Sequence, residues 1–160
     1  MMPWRGWLRI QRGPVLAGAA ALIALVIFLG AGSGAVPQGV VAAEQALRLA
    51  RDGGVTIIDI RRPDEWRKTG VASGAKRATI RTRQGTAGFL ERIAKLTKGD
   101  KTTPIALICA AGVRSKHASR LLRDRGYTQV LDISEGMLGN GKGAGWIGRK
   151  LPVSPCPGCK

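Results

Sequence analysis

Short, nearly continuous apolar runs alternate along this chain with stretches in which apolar residues return every three or four positions. The runs Val55 to Ile60, Ile105 to Ile108 and Tyr127 to Ile133 are rich in β-branched residues and read as buried strands. Lys76 to Ile80 reads as a shorter one. Between them, Val40 to Arg51 carries apolar residues at 40, 43, 47 and 50, a helix stopped by Gly53-Gly54. Pro63 to Lys68 reads as a short helix opened by the acidic pair Asp64 and Glu65. Gly85 to Lys98 sets Phe89, Ile93 and Leu96 on one helical face, and Gly99-Asp100 closes it. A further helix is predicted from an N-cap at Ser115, through Ala118, Leu121 and Leu122, to Gly126. Ser134 to Gly148 is rich in glycine, and Trp146 within it is expected to plug the core or to cap a site. Strands alternating with helices predict an α/β layered domain, its sheet mainly parallel and helices on both faces.

The first 38 residues follow a different pattern. Arg5, Arg9 and Arg12 precede a run with no charged residue until Glu44, most strongly apolar from Val15 to Leu29. Ser33-Gly34-Ala35 is an acceptable signal-peptidase site, so a cleaved signal is one reading. A membrane anchor through residues 14–36 is the other, since about 20 apolar residues span a bilayer. Arginines on the leading side only predict the same orientation for both, with the remainder outside the cytoplasm, periplasmic, and anchored or secreted. The expected organisation is therefore a signal or anchor over 1–38, a folded domain over 40–153 and a short tail over 154–160.

Charge narrows the partners. Twenty-six Lys and Arg against 10 Asp and Glu give +16 over 160 residues. Such a balance attracts anions, but the basic residues are scattered through several elements with little aromatic interleaving. A solvated basic surface is the reading, and no nucleic-acid partner is expected. With three Cys and one His no metal-ligand set is complete, so no metal and no cofactor are expected.

The candidate chemistry sits at Cys109. The strand Ile105 to Ile108 delivers it to the carboxyl end of the sheet, where ligands of such folds bind. The loop Ala110-Ala111-Gly112-Val113-Arg114 then leads to Ser115 and a helix N-terminus. Unpartnered backbone N–H groups, the helix dipole and the Arg114 cation all favour negative charge on this sulfur. The same donors make an anion cradle. His117, the single histidine, falls on the helix after the loop and is not placed to act as a base, which argues against Cys–His hydrolase chemistry. Asp59 and Arg61, at the end of a strand, read first as a structural ion pair and second as part of a pocket rim.

These residues resemble the rhodanese family of sulfurtransferases, whose catalytic loop often reads C-x-x-G-x-R-S, as Cys109, Gly112, Arg114 and Ser115 do. Ile57-Ile58-Asp59-Ile60-Arg61 with Asp64-Glu65-Trp66 resembles the family's D-V-R and E-W motifs, and Glu135-Gly136-Met137, Gly145-Trp146 and Leu151-Pro152-Val153 its closing segment. One departure is Gly70-Val71-Ala72-Ser73-Gly74-Ala75, where the family often has G-H-I-P-G-A. The resemblance spans roughly 40 to 153. It implies a Cys109 nucleophile, a substrate loop of Ala110, Ala111, Gly112, Val113, Arg114 and Ser115, a small anionic sulfur donor such as thiosulfate, and a thiol or cyanide acceptor. Cysteine phosphatases resemble the loop too but typically place five residues between Cys and Arg, against four here. A non-catalytic interaction or redox module is the remaining alternative.

The tail Pro155-Cys156-Pro157-Gly158-Cys159-Lys160 is not required by that pattern. Pro-Gly at its centre favours a type II turn, which brings Cys156 and Cys159 within disulfide reach. A structural staple, a shared metal site and a redox-active dithiol serving as sulfur acceptor or relay are the three readings, the last implying a thiol-redox protein partner.

Overall fold

A computed structural model describes residues 39–160 of the chain. The expected signal or anchor, residues 1–38, lies outside the described residues. Among the described residues no helix is long and apolar enough to cross a membrane.

The order of elements is β1 (Gly39–Val41), α1 (Ala43–Arg51), β2 (Thr56–Asp59), α2 (Pro63–Thr69), β3 (Val71–Ala72), β4 (Lys76–Arg77), α3 (Gly85–Leu96), β5 (Ile105–Ile108), α4 (Val113–Asp124), β6 (Val130–Ile133), α5 (Gly145–Gly148) and β7 (Val153–Ser154). Five strands form one parallel sheet in the order β1-β6-β5-β2-β4. The central strand β5 is apolar and buried at all four positions, as a strand covered on both faces must be. Alternate side chains feed two cores. Ile57, Ala106, Ile108, Leu131 and Ile133 pack with Ala43, Ala46 and Leu47 of α1 and with Trp146 of α5. Ile58, Leu107, Cys109 and Val130 pack on the other face, with Phe89 and Ile93 of α3 and Ala118 and Leu122 of α4. The expected α/β sheet with helices on both faces is the observed fold.

The details differ at three places. Val40 opens no helix; it lies in β1, 65% exposed, in a strand that pairs with the edge of β6. Glu135 enforces the change, because its Oε1 accepts the Ala43 N–H at 2.8 Å and starts α1 there. β6 begins at Val130 and not at Tyr127, whose N–H is spent on the Leu122 carbonyl closing α4. The two-stranded antiparallel sheet of β3 and β7 has no counterpart in the sequence reading. It clasps the chain where Gly70, at φ 73°, approaches Ser154 so closely that a Cβ would lie 2.6 Å from its carbonyl oxygen. Trp146 plugs the core, fully buried, its indole N–H donating to the Pro152 carbonyl at 2.8 Å.

Candidate active site

β5 carries Cys109 to the carboxyl edge of the sheet, where the side chain is 1% exposed. The turn into α4 depends on Gly112. Its φ is 80°, and a Cβ there would land on the Ser134 carbonyl. This turn starts α4 two residues earlier than the expected cap. Val113 is the first helical residue, and Ser115 is inside the first turn with its hydroxyl on the Gly112 carbonyl at 3.2 Å. Ser115 is therefore not an N-cap but a buried contact of the sulfur. Its N–H donates to Cys109 Sγ at 3.4 Å, and the thiol lies 3.6 Å from its Oγ.

The loop is held from behind. Met137 N–H and Leu138 N–H donate to the carbonyls of Cys109 and Ala110, both at 2.8 Å. The Asn140 amide donates to the Ala111 carbonyl at 2.9 Å and to that of Ser134 at 2.8 Å. A planar trans peptide sets each N–H opposite the preceding carbonyl, so the amides of Ala110, Ala111 and Gly112 face away from this segment. Among the described residues, the N–H groups of residues 110–114 donate to no protein acceptor. Five consecutive amides without protein acceptors thus lie between Cys109 and Ser115, an arrangement of the kind that can hold an anion.

Arg114 is not a free cation. Its two terminal nitrogens reach the Glu65 carboxylate at 2.7 and 2.6 Å, a two-point contact between α4 and α2. The Arg114 guanidinium holds the Glu65 carboxyl down to about 2, aided by the Arg62 N–H. Sequence reasoning placed Glu65 at a helix start and in a family-like E-W motif but gave it no partner at the site. On the other side of Arg114, a cavity of about 490 Å³ is lined by Ile80, Arg81, Thr82, Val113 and the exposed His117.

Asp59 and Arg61 are a buried structural pair. The Arg61 Nη2 lies 2.7 Å from Asp59 Oδ2 and 2.6 Å from the Gly70 carbonyl, and its Nη1 is 2.7 Å from Thr69 Oγ1. The pair thus fixes the C-terminal end of α2, which carries Glu65. Arg61 also lines a cavity of about 360 Å³ with Arg62, Glu65, Thr69 and Leu138, to which no residue of the Cys109 loop contributes.

A rhodanese-like domain model matches residues 42–139. The chain belongs to the rhodanese-like family. An uncharacterized protein of Rickettsia prowazekii is 26% identical over 98 residues, 60% of this chain and 80% of its own length. A tRNA uridine(34) hydroxylase of Chlamydia abortus is 29% identical over 96 residues, 58% of this chain but only 29% of that protein. Among solved structures, a protein of M. tuberculosis superposes with a TM-score of 0.59 at 25% identity, over 74% of this chain and 98% of that one. A thiosulfate sulfurtransferase of Pseudomonas aeruginosa shares the fold, with a TM-score of 0.58 at 24% identity over 73% of this chain and 20% of that one.

Two features of this rhodanese-like domain were not assigned from sequence. Asp132, on β6 beside Leu107 of β5, is 3% exposed, and its Oδ1 has no hydrogen-bond partner. Burial pushes its carboxyl up, an effect that the nearby Ser115 side chain offsets in part. A lone acidic residue in an apolar strand was the available signal. The second is the seat of the tail. Cys156 and Cys159 are joined in a disulfide with Cα atoms 5.4 Å apart, and Cys159 packs on Trp66 and Val71. That cluster is separate from the one holding Cys109, so the structure does not bring the three cysteines together.

Proposed function

We propose that this rhodanese-like domain is a sulfurtransferase that carries sulfane sulfur as a persulfide on Cys109. The observation that supports this reading is the sulfur set against five consecutive amides without protein acceptors. Such a cradle suits a mobile anion held next to a nucleophile. The Cys109 thiolate attacks the outer sulfur of a donor such as thiosulfate. A new S–S bond forms as the old one breaks, and the electron pair leaves on sulfite. The cradle holds the persulfide until a thiophilic acceptor, cyanide or a thiolate, attacks its outer sulfur and returns the cysteine to the thiolate. This is covalent two-step catalysis, and no general base is required. Arg114 and the surplus of basic residues favour an anionic donor. The four residues between Cys109 and Arg114 weigh against a phosphatase loop. The hydroxylase relatives match over less than a third of their length, which lends that activity little support here.

Mass spectrometry of the protein after thiosulfate treatment tests the proposal. One added sulfur on Cys109 supports it. An unmodified Cys109 in a folded sample, together with no transfer to cyanide, overturns it. The charge pattern of residues 1–38 further supports placing the domain outside the cytoplasm.

A further inference from the structure

The last residues of the chain form a second sulfur centre with its own electrostatics. The Arg77 Nη1 lies 3.0 Å from Cys156 Sγ and also contacts Cys159 Sγ. The same guanidinium sits 5.9 Å from the centre of the Trp66 ring. Among the described residues Arg77 makes no ion pair with a carboxylate. Arg67 adds a second cation, its Nη1 donating to the Cys159 carbonyl at 2.8 Å. A neutral disulfide gains little from a cation beside it. A thiolate gains a great deal, because the charge then has a partner that solvent screens only in part.

The two sulfurs also differ in access. Cys159 is 2% exposed, wedged on Trp66 and Val71. Cys156 is half-buried and lines an open cavity of about 320 Å³ with Arg67, Lys68, Thr69, Val153 and Pro155. A nucleophile can enter beside Cys156 and not beside Cys159, and the entry is basic.

We infer that Cys156–Cys159 is a redox-active disulfide that exchanges with small, negatively charged thiols, with Cys156 the attacked sulfur and Cys159 the leaving thiolate received by Arg77. In the first step a thiolate attacks Cys156 Sγ, a mixed disulfide forms, and the Cys156–Cys159 bond breaks with its electron pair on Cys159. In the second, another thiolate attacks the thiol-derived sulfur of the mixed disulfide. It releases the low-molecular-weight disulfide and leaves Cys156 as a thiolate. Two electrons pass from two small thiols to the protein pair, and the reverse sequence reoxidises it. The site is independent of sulfur transfer at Cys109.

Full-length protein equilibrated with mixtures of reduced and oxidised glutathione, acid-quenched and alkylated, reports both centres by peptide mass spectrometry. The pair is expected to shift between oxidised and reduced across these mixtures. Arg77→Gln should lower the reduced-to-oxidised ratio about tenfold, since it removes the partner of the leaving thiolate. Arg77→Lys, which keeps the charge, should restore most of it. Glutathione should also react faster than the uncharged 2-mercaptoethanol at equal thiolate concentration, an advantage that added salt removes. In Cys159→Ser, oxidised glutathione should be captured on Cys156, whereas Cys156→Ser should leave Cys159 largely unreacted. A pair that stays oxidised in excess reduced glutathione is a structural staple and overturns the inference. An Arg77→Gln ratio equal to that of the unaltered protein, or faster capture on Cys159 than on Cys156, overturns it as well. Thiosulfate labelling of Cys109 is scored in parallel samples without added thiol, which would strip the persulfide, so failure at the tail says nothing against the sulfurtransferase reading.

Discussion

Arg114 and Glu65 meet in a two-point contact of 2.7 and 2.6 Å, joining the helix that follows the Cys109 loop to the short helix that follows β2. An incoming anion therefore meets a cation already oriented and half neutralised. The contact also carries a pH signature. Glu65 is held at about 2, below its ordinary 4.5, so its contribution to stability is complete above the ordinary value and is lost as pH falls toward 2. Glu65→Gln should lower stability at pH 7 by about 1–2 kcal/mol, discounted for a partly exposed pair. Urea midpoints measured at pH 7 and pH 3 should show the two proteins converging at the lower pH; a constant difference would contradict the role of the charge.

Cys109→Ser should abolish transfer to cyanide while leaving the thermal midpoint nearly unchanged, since the substitution is close to isosteric. Arg114→Ala should lower kcat/KM for thiosulfate by roughly 10²-fold, the usual cost of removing one oriented donor. Retained turnover in Cys109→Ser would remove the basis for a persulfide mechanism.

Asn140 should matter to activity although it does not face the sulfur. Its side-chain amide is shared between the carbonyls of Ala111 and Ser134. Asn140→Ala frees both and should lower the rate of persulfide formation by roughly tenfold, for a local loss of about 1 kcal/mol. Single-turnover labelling of Cys109 measures it, and an unchanged rate would show that the loop keeps its shape without this tie.

Asp132 carries the opposite linkage to Glu65. Its folded-state value is raised by burial, so the stability it permits is complete at low pH and falls as pH rises through 3.8 and beyond. Asp132→Asn cannot ionise and should be more stable than the unaltered protein at pH 7, by on the order of 1 kcal/mol, with the gain vanishing near pH 3. Denaturant titrations at both values check the sign.

Protease added to intact spheroplasts should digest the catalytic domain, as the arginines ahead of the apolar run imply. N-terminal sequencing then separates a tether from release after Ala35. Digestion only after lysis would place the domain inside.

The sheet and the sulfur were readable because they rest on local pattern. The run Ile105 to Ile108 is apolar at every position, and Cys109, Gly112, Arg114 and Ser115 fall at fixed spacing behind it. What escaped depends on partners distant in sequence. Val40 became a strand because β6 offered it an edge, and α1 begins where Glu135 caps it. Glu65 reads as a helix-start acid until Arg114 is placed against it, and the structural pair read at Asp59 and Arg61 gains partners at Thr69 and Gly70 that no local pattern announces. The start of α4 was misplaced because a glycine at φ 80° turns the chain sooner than the Ser115 pattern suggests.

The carbonyls of Cys109, Ala110 and Ala111 are anchored by Met137, Leu138 and Asn140. Of the loop's side chains, Ala110 and Ala111 carry neither charge nor a hydrogen-bonding group. The curvature of the loop backbone is then moulded by a segment more than twenty residues downstream. Single changes between Ser134 and Asn140 could therefore reshape the loop from outside it, leaving Cys109 and the residues behind it unaltered.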